Sequence, residues 1–296
     1  MLGVVIPVIE SELEGLYINL DRIQLNLELA NIDDYKIVVV LQTKDINIQL
    51  REYNKTKFKV VSYYSVSQAR NIGLNEISKE ADYIYLLDQD ATPSVEFFIQ
   101  AKNNMSLGLS VWSGKINWIA DRMKNKGNQN NGNQNKGYYL SSFFVPLNTF
   151  LGCYIFKAAL IRKYSIRFNQ NLGPAENTQL KTGEDVYFLC EFFSKNKIGR
   201  YIFYPKLQIN HPERPRDNSK SILYLDGQVA IYKNLLLSHS MNFRIRMGAF
   251  LYLILFTFNG FLKFIRMEEN GYFIFKKRLY SLFYNKYEIL DNERKK

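Results

Sequence analysis

Cysteine and histidine are scarce in this chain: Cys153 and Cys190 are the only cysteines, and His211 and His239 the only histidines, among 296 residues. The cysteines form no C-x-x-C pair and have no histidine beside them. That excludes a disulfide framework and a cysteine-based zinc module, and fits a reducing compartment. The first residues, Met1-Leu2-Gly3-Val4-Val5-Ile6-Pro7, lack a basic start and place a proline inside the apolar run. They read as a strand rather than an export signal, so a cytoplasmic chain is expected. Acidic residues are outnumbered, 28 against 39 basic, for a net charge of +11. Such an excess suits an anionic partner: a membrane face, a phosphorylated substrate or nucleic acid. No helix-turn-helix, zinc or RNP-like pattern supports nucleic acid, which is not expected.

Apolar and aromatic residues are abundant, at 47% and 15%, enough to fill a sizeable core and to exclude a disordered or collagen-like chain. Strands and helices alternate through roughly the first hundred residues. Leu2 to Ile6 reads as a strand. Ser11 and Glu14 give a capping-box signature for a helix with apolar positions Leu13, Leu16, Tyr17, Leu20, Ile23 and Leu27. Lys36 to Leu41, Phe58 to Ser62 and Tyr83 to Leu87 are further strands, with a helical stretch around Asp45 to Tyr53 and a helix capped by Ser67 between them. Continuous apolar strands mean that both faces are covered, as in a parallel sheet flanked by helices. Ligands then sit beyond the carboxyl ends of the strands, which directs attention to the loops after Ile6, Leu41, Ser62 and Leu87.

Asp121 to Gly137 changes to Asn, Gln, Gly and Lys and reads as a mobile loop. Structured sequence resumes at Tyr138 to Val145 and Leu151 to Phe156, with a helix near Asp185 to Ser194. After Asn218 long helices are expected. Met247 to Leu262 is uncharged for sixteen residues, about 24 Å of helix against a hydrocarbon core of roughly 30 Å. From Phe243 to Lys296 there are eleven Lys/Arg and five Asp/Glu, so +6 of the net charge lies there. This basic, aromatic tail reads as a surface-lying membrane contact or as a helical hairpin packed on the preceding domain.

Three segments carry chemistry. Asp88-Gln89-Asp90 follows directly on a buried strand; if the chain bends there, the two carboxylates suit a hard divalent cation with positions left for phosphate oxygens. Gly183-Glu184-Asp185 opens a helix, where acids are favoured by the macrodipole alone and where a carboxylate can also serve as a general base. Ser67-Gln68-Ala69-Arg70-Asn71-Ile72-Gly73 places an arginine one turn inside a helix N-terminus, an arrangement that can receive a diphosphate or simply pair the arginine with a surface acid.

In this order the segments resemble a family 2 glycosyltransferase of the GT-A fold. Val4-Val5-Ile6-Pro7-Val8 opens the chain, Ser67 to Gly73 resembles the S-x-A-R-N-x-G segment, Asp88-Gln89-Asp90 stands at the D-x-D position, and Glu184-Asp185 at the E-D position about a hundred residues later. The resemblance covers roughly residues 1 to 215. The tail is similar to that of bacterial surface-polysaccharide members, especially rhamnosyltransferase-like ones.

The resemblance implies an α/β GT-A catalytic domain, Rossmann-like with a mostly parallel sheet, over residues 1–215, and a basic helical appendage over 216–296. It implies Pro7, Val8, Glu10, Gln42, Arg70, Asp88 and Gln89 around the nucleotide-sugar donor, and Asp90 with Asp88 on Mg²⁺ or Mn²⁺. Asp185 would be the base for the acceptor hydroxyl, with Glu184 positioning the acceptor. His211 corresponds to a further metal ligand in some members, or is a loop residue beside Pro212; His239 reads as structural. The implied reaction is inverting transfer from a nucleotide-diphosphate sugar to a saccharide or polyprenyl-diphosphate-linked saccharide, at the inner face of the cell membrane. The chain departs from the family's pattern after the second strand, where Gln42-Thr43-Lys44-Asp45 replaces a D-x-S segment, and at Glu10, where an Asn is usual. Cys153 reads as a packed small hydrophobe, and Trp112 and Trp118 as core or sugar-stacking residues. Two other readings are a sugar-phosphate nucleotidylyltransferase, for which Pro7 to Gly15 lacks the Gly-rich basic loop, and a non-catalytic membrane- or nucleic-acid-binding protein.

Overall fold

The structure is a computed structural model that describes residues 1–45, 47–119, 136–148, 150–212, 218–268 and 270–284. Most of the Asn/Gln-rich loop expected at 121–137 lies outside the described residues, as does the end of the chain after 284. The chain divides into two units: residues 1–140, 150–165 and 200–215 form the first, and residues 141–149, 166–199 and 216–296 the second.

The first unit is built on a mixed sheet. Its strands are β1 (Leu2–Ile9), β2 (Tyr35–Gln42), β3 (Thr56–Val61), β4 (Tyr83–Leu86), β5 (Thr92–Pro93), β6 (Val111–Ile119), β7 (Tyr138–Ser141), β8 (Tyr154–Lys157) and β9 (Arg200–Pro212). They lie in the order β3-β2-β1-β4-β8-β6-β9-β5, with β7 alongside β9. The half from β3 to β4 is parallel, β8 runs antiparallel to both its neighbours, and β6 and β9 are parallel again. Parallel strands need helical crossovers. These are α1 (Leu13–Leu29) after β1, α2 (Val66–Ile77) after β3 and α3 (Val95–Ser106) after β5, while α4 (Ala158–Lys163) follows β8.

The apolar runs behave as strands covered on both faces should: β4 is buried throughout, and β1 and β2 nearly so. At the sheet edge β3 alternates instead, with Lys57 and Lys59 outward. α1 buries the six apolar positions that its spacing picked out. α2 approaches β1 closely because Gly73 lies against Val5, where a Cβ would overlap that side chain.

Several local expectations are corrected. The capping box of Ser11 and Glu14 does not form: a 3-10 turn, Glu10–Glu12, leads into α1, whose N-cap has no side-chain hydrogen bond. Around Asp45 to Tyr53 no helix is present among the described residues. Asx-type bonds compete locally, Asn47 N–H donating to Asp45. The segment's other polar groups turn to α1: Arg51 N–H donates to the Tyr17 hydroxyl and Tyr53 stacks on Tyr17 at 5.9 Å. Ser65, not Ser67, caps α2, since it has the extended backbone a cap requires and accepts from Gln68 N–H. The first strand runs past Ile6 to Ile9, so Pro7 and Val8 are strand residues. Pro7 is tolerated because Val5 turns its carbonyl to Leu87 N–H (3.0 Å), so Pro7, two residues on, faces the side where β4 has already ended.

The second unit is helical. A 3-10 segment, Ser142–Leu147, is followed by α5 (Glu184–Lys195), α6 (Asn218–Leu237), α7 (Phe243–Ile265) and α8 (Gly271–Tyr284). Stacked rings join its parts: Phe168 on Phe188 at 4.3 Å and Tyr232 on Tyr252 at 3.6 Å. Gly248 lets α7 lie on the Phe143 carbonyl. α7 is 23 residues, about 35 Å, because its ends take in Arg244, Arg246 and Lys263 beyond the uncharged run. His239 lies in the turn before α7 and is exposed.

Candidate metal and donor site

The chain bends immediately after β4. Ala91 N–H donates to the Asp88 carbonyl at 3.1 Å, closing a four-residue turn with Gln89 and Asp90 at its centre. This is the bend that two carboxylates at i and i+2 need in order to face one space. α1 holds the turn from outside: Asn19 donates to the Gln89 carbonyl (2.6 Å) and accepts from Thr92 Oγ1 (3.0 Å). Beyond the turn, β5 pairs Thr92 with Asn210 of β9, which delivers the next residue, His211, to the same place. His211 is therefore a strand residue rather than a loop residue, paired in register with Trp118 of β6.

Asp88, Asp90 and His211 each bring a donor atom within 4.8 Å of the others. His211 is buried, and its Nε2 stands 3.1 Å from Asp90 Oδ1. Its Nδ1 lies 2.9 Å from the Pro212 carbonyl, which can only accept, so in the neutral ring Nδ1 carries the hydrogen and the Nε2 lone pair points at the carboxylates. Burial lowers the His211 pKa, but Asp90, the Pro212 carbonyl and Asp88 outweigh it, and the net shift is upward. A lone pair and two carboxylates converging on one point call for a positive charge between them. The donor set fits a divalent cation. Trp118 and Phe150 meet the His211 ring edge-on at 5.0 and 5.3 Å and fix its plane.

Arg70 joins this group. Its Nη2 donates to Asp88 Oδ1 at 2.8 Å, and its side chain is 4% exposed. The pair orients Asp88 and keeps a cationic group beside the turn. Gln42 does not present its amide to solvent: it is buried, Oε1 accepts from Ser65 N–H (2.6 Å) and Nε2 faces the Val8 carbonyl (3.4 Å). It ties the ends of β1 and β2 to the start of α2. Glu10 is exposed and accepts from Thr43 Oγ1. Asp45 is exposed and turned into its own loop.

Asn19, Thr43 and Ser65 were not singled out by sequence. Asn19 sits on a helix whose spacing reports only the apolar side. Ser65 is masked by Ser67, a competing cap signal two residues on.

In the second unit Gly183 adopts φ +93° and starts α5, with Glu184 buried and Asp185 half-buried in the first turn. Glu184 packs its carboxyl against Gly173, itself at φ +88°.

Of the two tryptophans Trp112 is fully buried, packed on Tyr83 at 5.4 Å, whereas Trp118 is 51% exposed. Cys153 is buried and burial pushes its thiol pKa up, as it does for Cys190. Neither is a reactive thiol.

No protein-family model matches the sequence, and no curated protein sequence matches it. Solved structures do. The chain is similar to S. aureus TarS 1-349 in complex with UDP-GlcNAc, with 18% identity and a TM-score of 0.60 over 95% of this chain and 81% of that one. It is similar to the same TarS piece with UDP, at 16% identity and a TM-score of 0.53 over 80% of this chain and 66% of that one. GalNAc-T7 with UDP, GalNAc and Mn²⁺ matches at 13% identity and a TM-score of 0.51, over 79% of this chain and 48% of that one. The fold expected from the motifs is the one observed: an α/β GT-A fold, with a mostly parallel sheet flanked by helices.

Proposed function

We propose that this protein transfers a sugar from a nucleotide-diphosphate donor to a glycan acceptor, using a divalent cation held by Asp88, Asp90 and His211. The observation that carries the reading is the convergence of these three groups at the carboxyl end of β4, the position where open α/β sheets place their ligands. The GT-A fold supports it, as do the UDP, UDP-GlcNAc and Mn²⁺ bound in the structural neighbours.

When bound, the cation would neutralise the charge that grows on the departing nucleoside diphosphate. Arg70 holds Asp88 and adds a cationic group on the donor side. Asp185, by its resemblance to the E-D position, takes the proton of the acceptor hydroxyl, and Glu184 supports the acceptor. As the acceptor oxygen bonds to the anomeric carbon, the bond from that carbon to the diphosphate oxygen breaks. A single displacement of this kind inverts the anomeric configuration.

The acceptor proposed is a saccharide or a polyprenyl-diphosphate-linked saccharide in cell-surface polysaccharide synthesis, at the inner face of the cell membrane. The tail's resemblance to that of bacterial surface-polysaccharide members, especially rhamnosyltransferase-like ones, supports that setting, and the sugar moved is a hexose or a deoxyhexose.

The test is product identity. With a panel of nucleotide sugars and Mn²⁺ or Mg²⁺, nucleoside diphosphate is expected. Asp90→Ala should lower its release by roughly two to three orders of magnitude, the scale of losing a main electrostatic stabiliser. Pyrophosphate as product would replace this reading with nucleotidyl transfer.

A further inference from the structure

α7 has two unlike sides. Gly248, Ala249, Leu253 and Gly260 are buried, on the side packed against α6, α8 and residues 142–147. On the opposite side Phe250, Ile254, Phe258, Phe261 and Ile265 are each 38 to 56% exposed. These positions recur at intervals of three and four, so they form one continuous apolar stripe along the helix. Soluble surfaces seldom carry an apolar strip of this length without a partner.

Among the described residues α7 is the one helix long and apolar enough to cross a membrane, but its packed side is committed to protein. α8 beside it carries Lys276, Lys277 and Arg278 at mid-length, charges that a hydrocarbon core accepts only at high cost. The arrangement that suits both sides is a helix lying in the plane of an interface.

Charge identifies the partner. From Phe243 to Tyr284 there are seven Lys/Arg and only Glu268 and Glu269 as acids. Arg244 and Arg266 are exposed at the two ends of α7. On α8, Tyr272, Lys276, Tyr280 and Tyr284 are exposed at successive i, i+4 positions, a tyrosine–lysine face of the kind found at lipid headgroups. We infer that α7 and α8 dock on an anionic lipid bilayer, with the α7 stripe set among the acyl-chain ends and the basic groups on lipid phosphates. This docking does not depend on the sugar-transfer reading and is tested without it.

The full chain should co-sediment with phosphatidylcholine vesicles containing phosphatidylglycerol, far less with phosphatidylcholine alone, and high salt should weaken the binding. Ile254→Asp with Phe258→Asp should weaken it at least about tenfold, since each removes a large apolar side chain from the interface. Arg266→Gln and Lys276→Gln should each weaken it about fivefold. All four positions are exposed, so the variants should keep the wild-type circular dichroism and melting temperature. A folded Ile254→Asp/Phe258→Asp chain that pellets like wild type overturns the inference. So does a wild-type chain that ignores the anionic vesicles. A stable dimer in solution, split by the same two substitutions, assigns the stripe to a second copy of the chain instead.

Discussion

Gly183 shows how one residue connects backbone conformation, packing and site. It starts α5 at φ +93°, directly before Glu184 and Asp185, and a Cβ there would overlap Ile231 Cδ1. Any side chain therefore meets both an unfavourable backbone region and a filled space. Gly183→Ala should lower stability by about 3 kcal/mol, the sum of left-handed strain and overpacking. Gly108 separates the two effects, having φ +69° with nothing within 4 Å of the added carbon. Gly108→Ala should cost only about 1 kcal/mol. Urea midpoints of the two variants compare them directly; equal losses would mean that the overlap with Ile231 relaxes freely.

At the scale of elements, the turn after β4 is held by a helix that contributes no donor atom of its own. Asn19 on α1 bonds on one side to the Gln89 carbonyl and on the other to Thr92. Asn19→Ala leaves the carboxylates and His211 in the chain but loosens their spacing. Outer-shell losses of this kind cost roughly 10- to 100-fold in metal affinity, and a calorimetric Mn²⁺ titration should show a drop in that range. An unchanged affinity would mean that β5 pairing alone fixes the turn.

What sequence could and could not reveal divides along the same lines. The parallel half of the sheet was legible because continuous burial leaves runs of Val, Ile and Leu in β1, β2 and β4. Asp88-Gln89-Asp90 was legible because it stands at a strand end. The partnership of Asp88 with Arg70, and of Asp90 with a histidine 121 positions later, depends on strand order that no local pattern carries. Local signals also competed and lost. Ser11 and Glu14 spell a capping box, yet the chain enters α1 through a 3-10 turn. Ser67 lies inside a helix that Ser65 caps.

For the whole molecule, the net charge of +11 sits uneasily with a site whose centre is two carboxylates. The difference is one of address. The basic excess of the tail suits a lipid surface, whereas the turn after β4 is acidic and needs a cation to hold phosphate. Arg70 offsets part of that negative charge, and His211 adds a lone pair rather than a fixed charge when neutral. A cation-dependent donor site and a charge-dependent docking face can thus be carried by one chain without competing for the same partner. The most direct measurement is an electron paramagnetic resonance titration of Mn²⁺ with the full chain, with and without UDP, for the wild type, Asp90→Ala and His211→Ala. One Mn²⁺ per chain is expected, bound more tightly with UDP present, and weakened by at least about tenfold in each variant. Mn²⁺ binding that is the same in all three proteins and indifferent to UDP would contradict the assignment of Asp88, Asp90 and His211 as the donor's metal site.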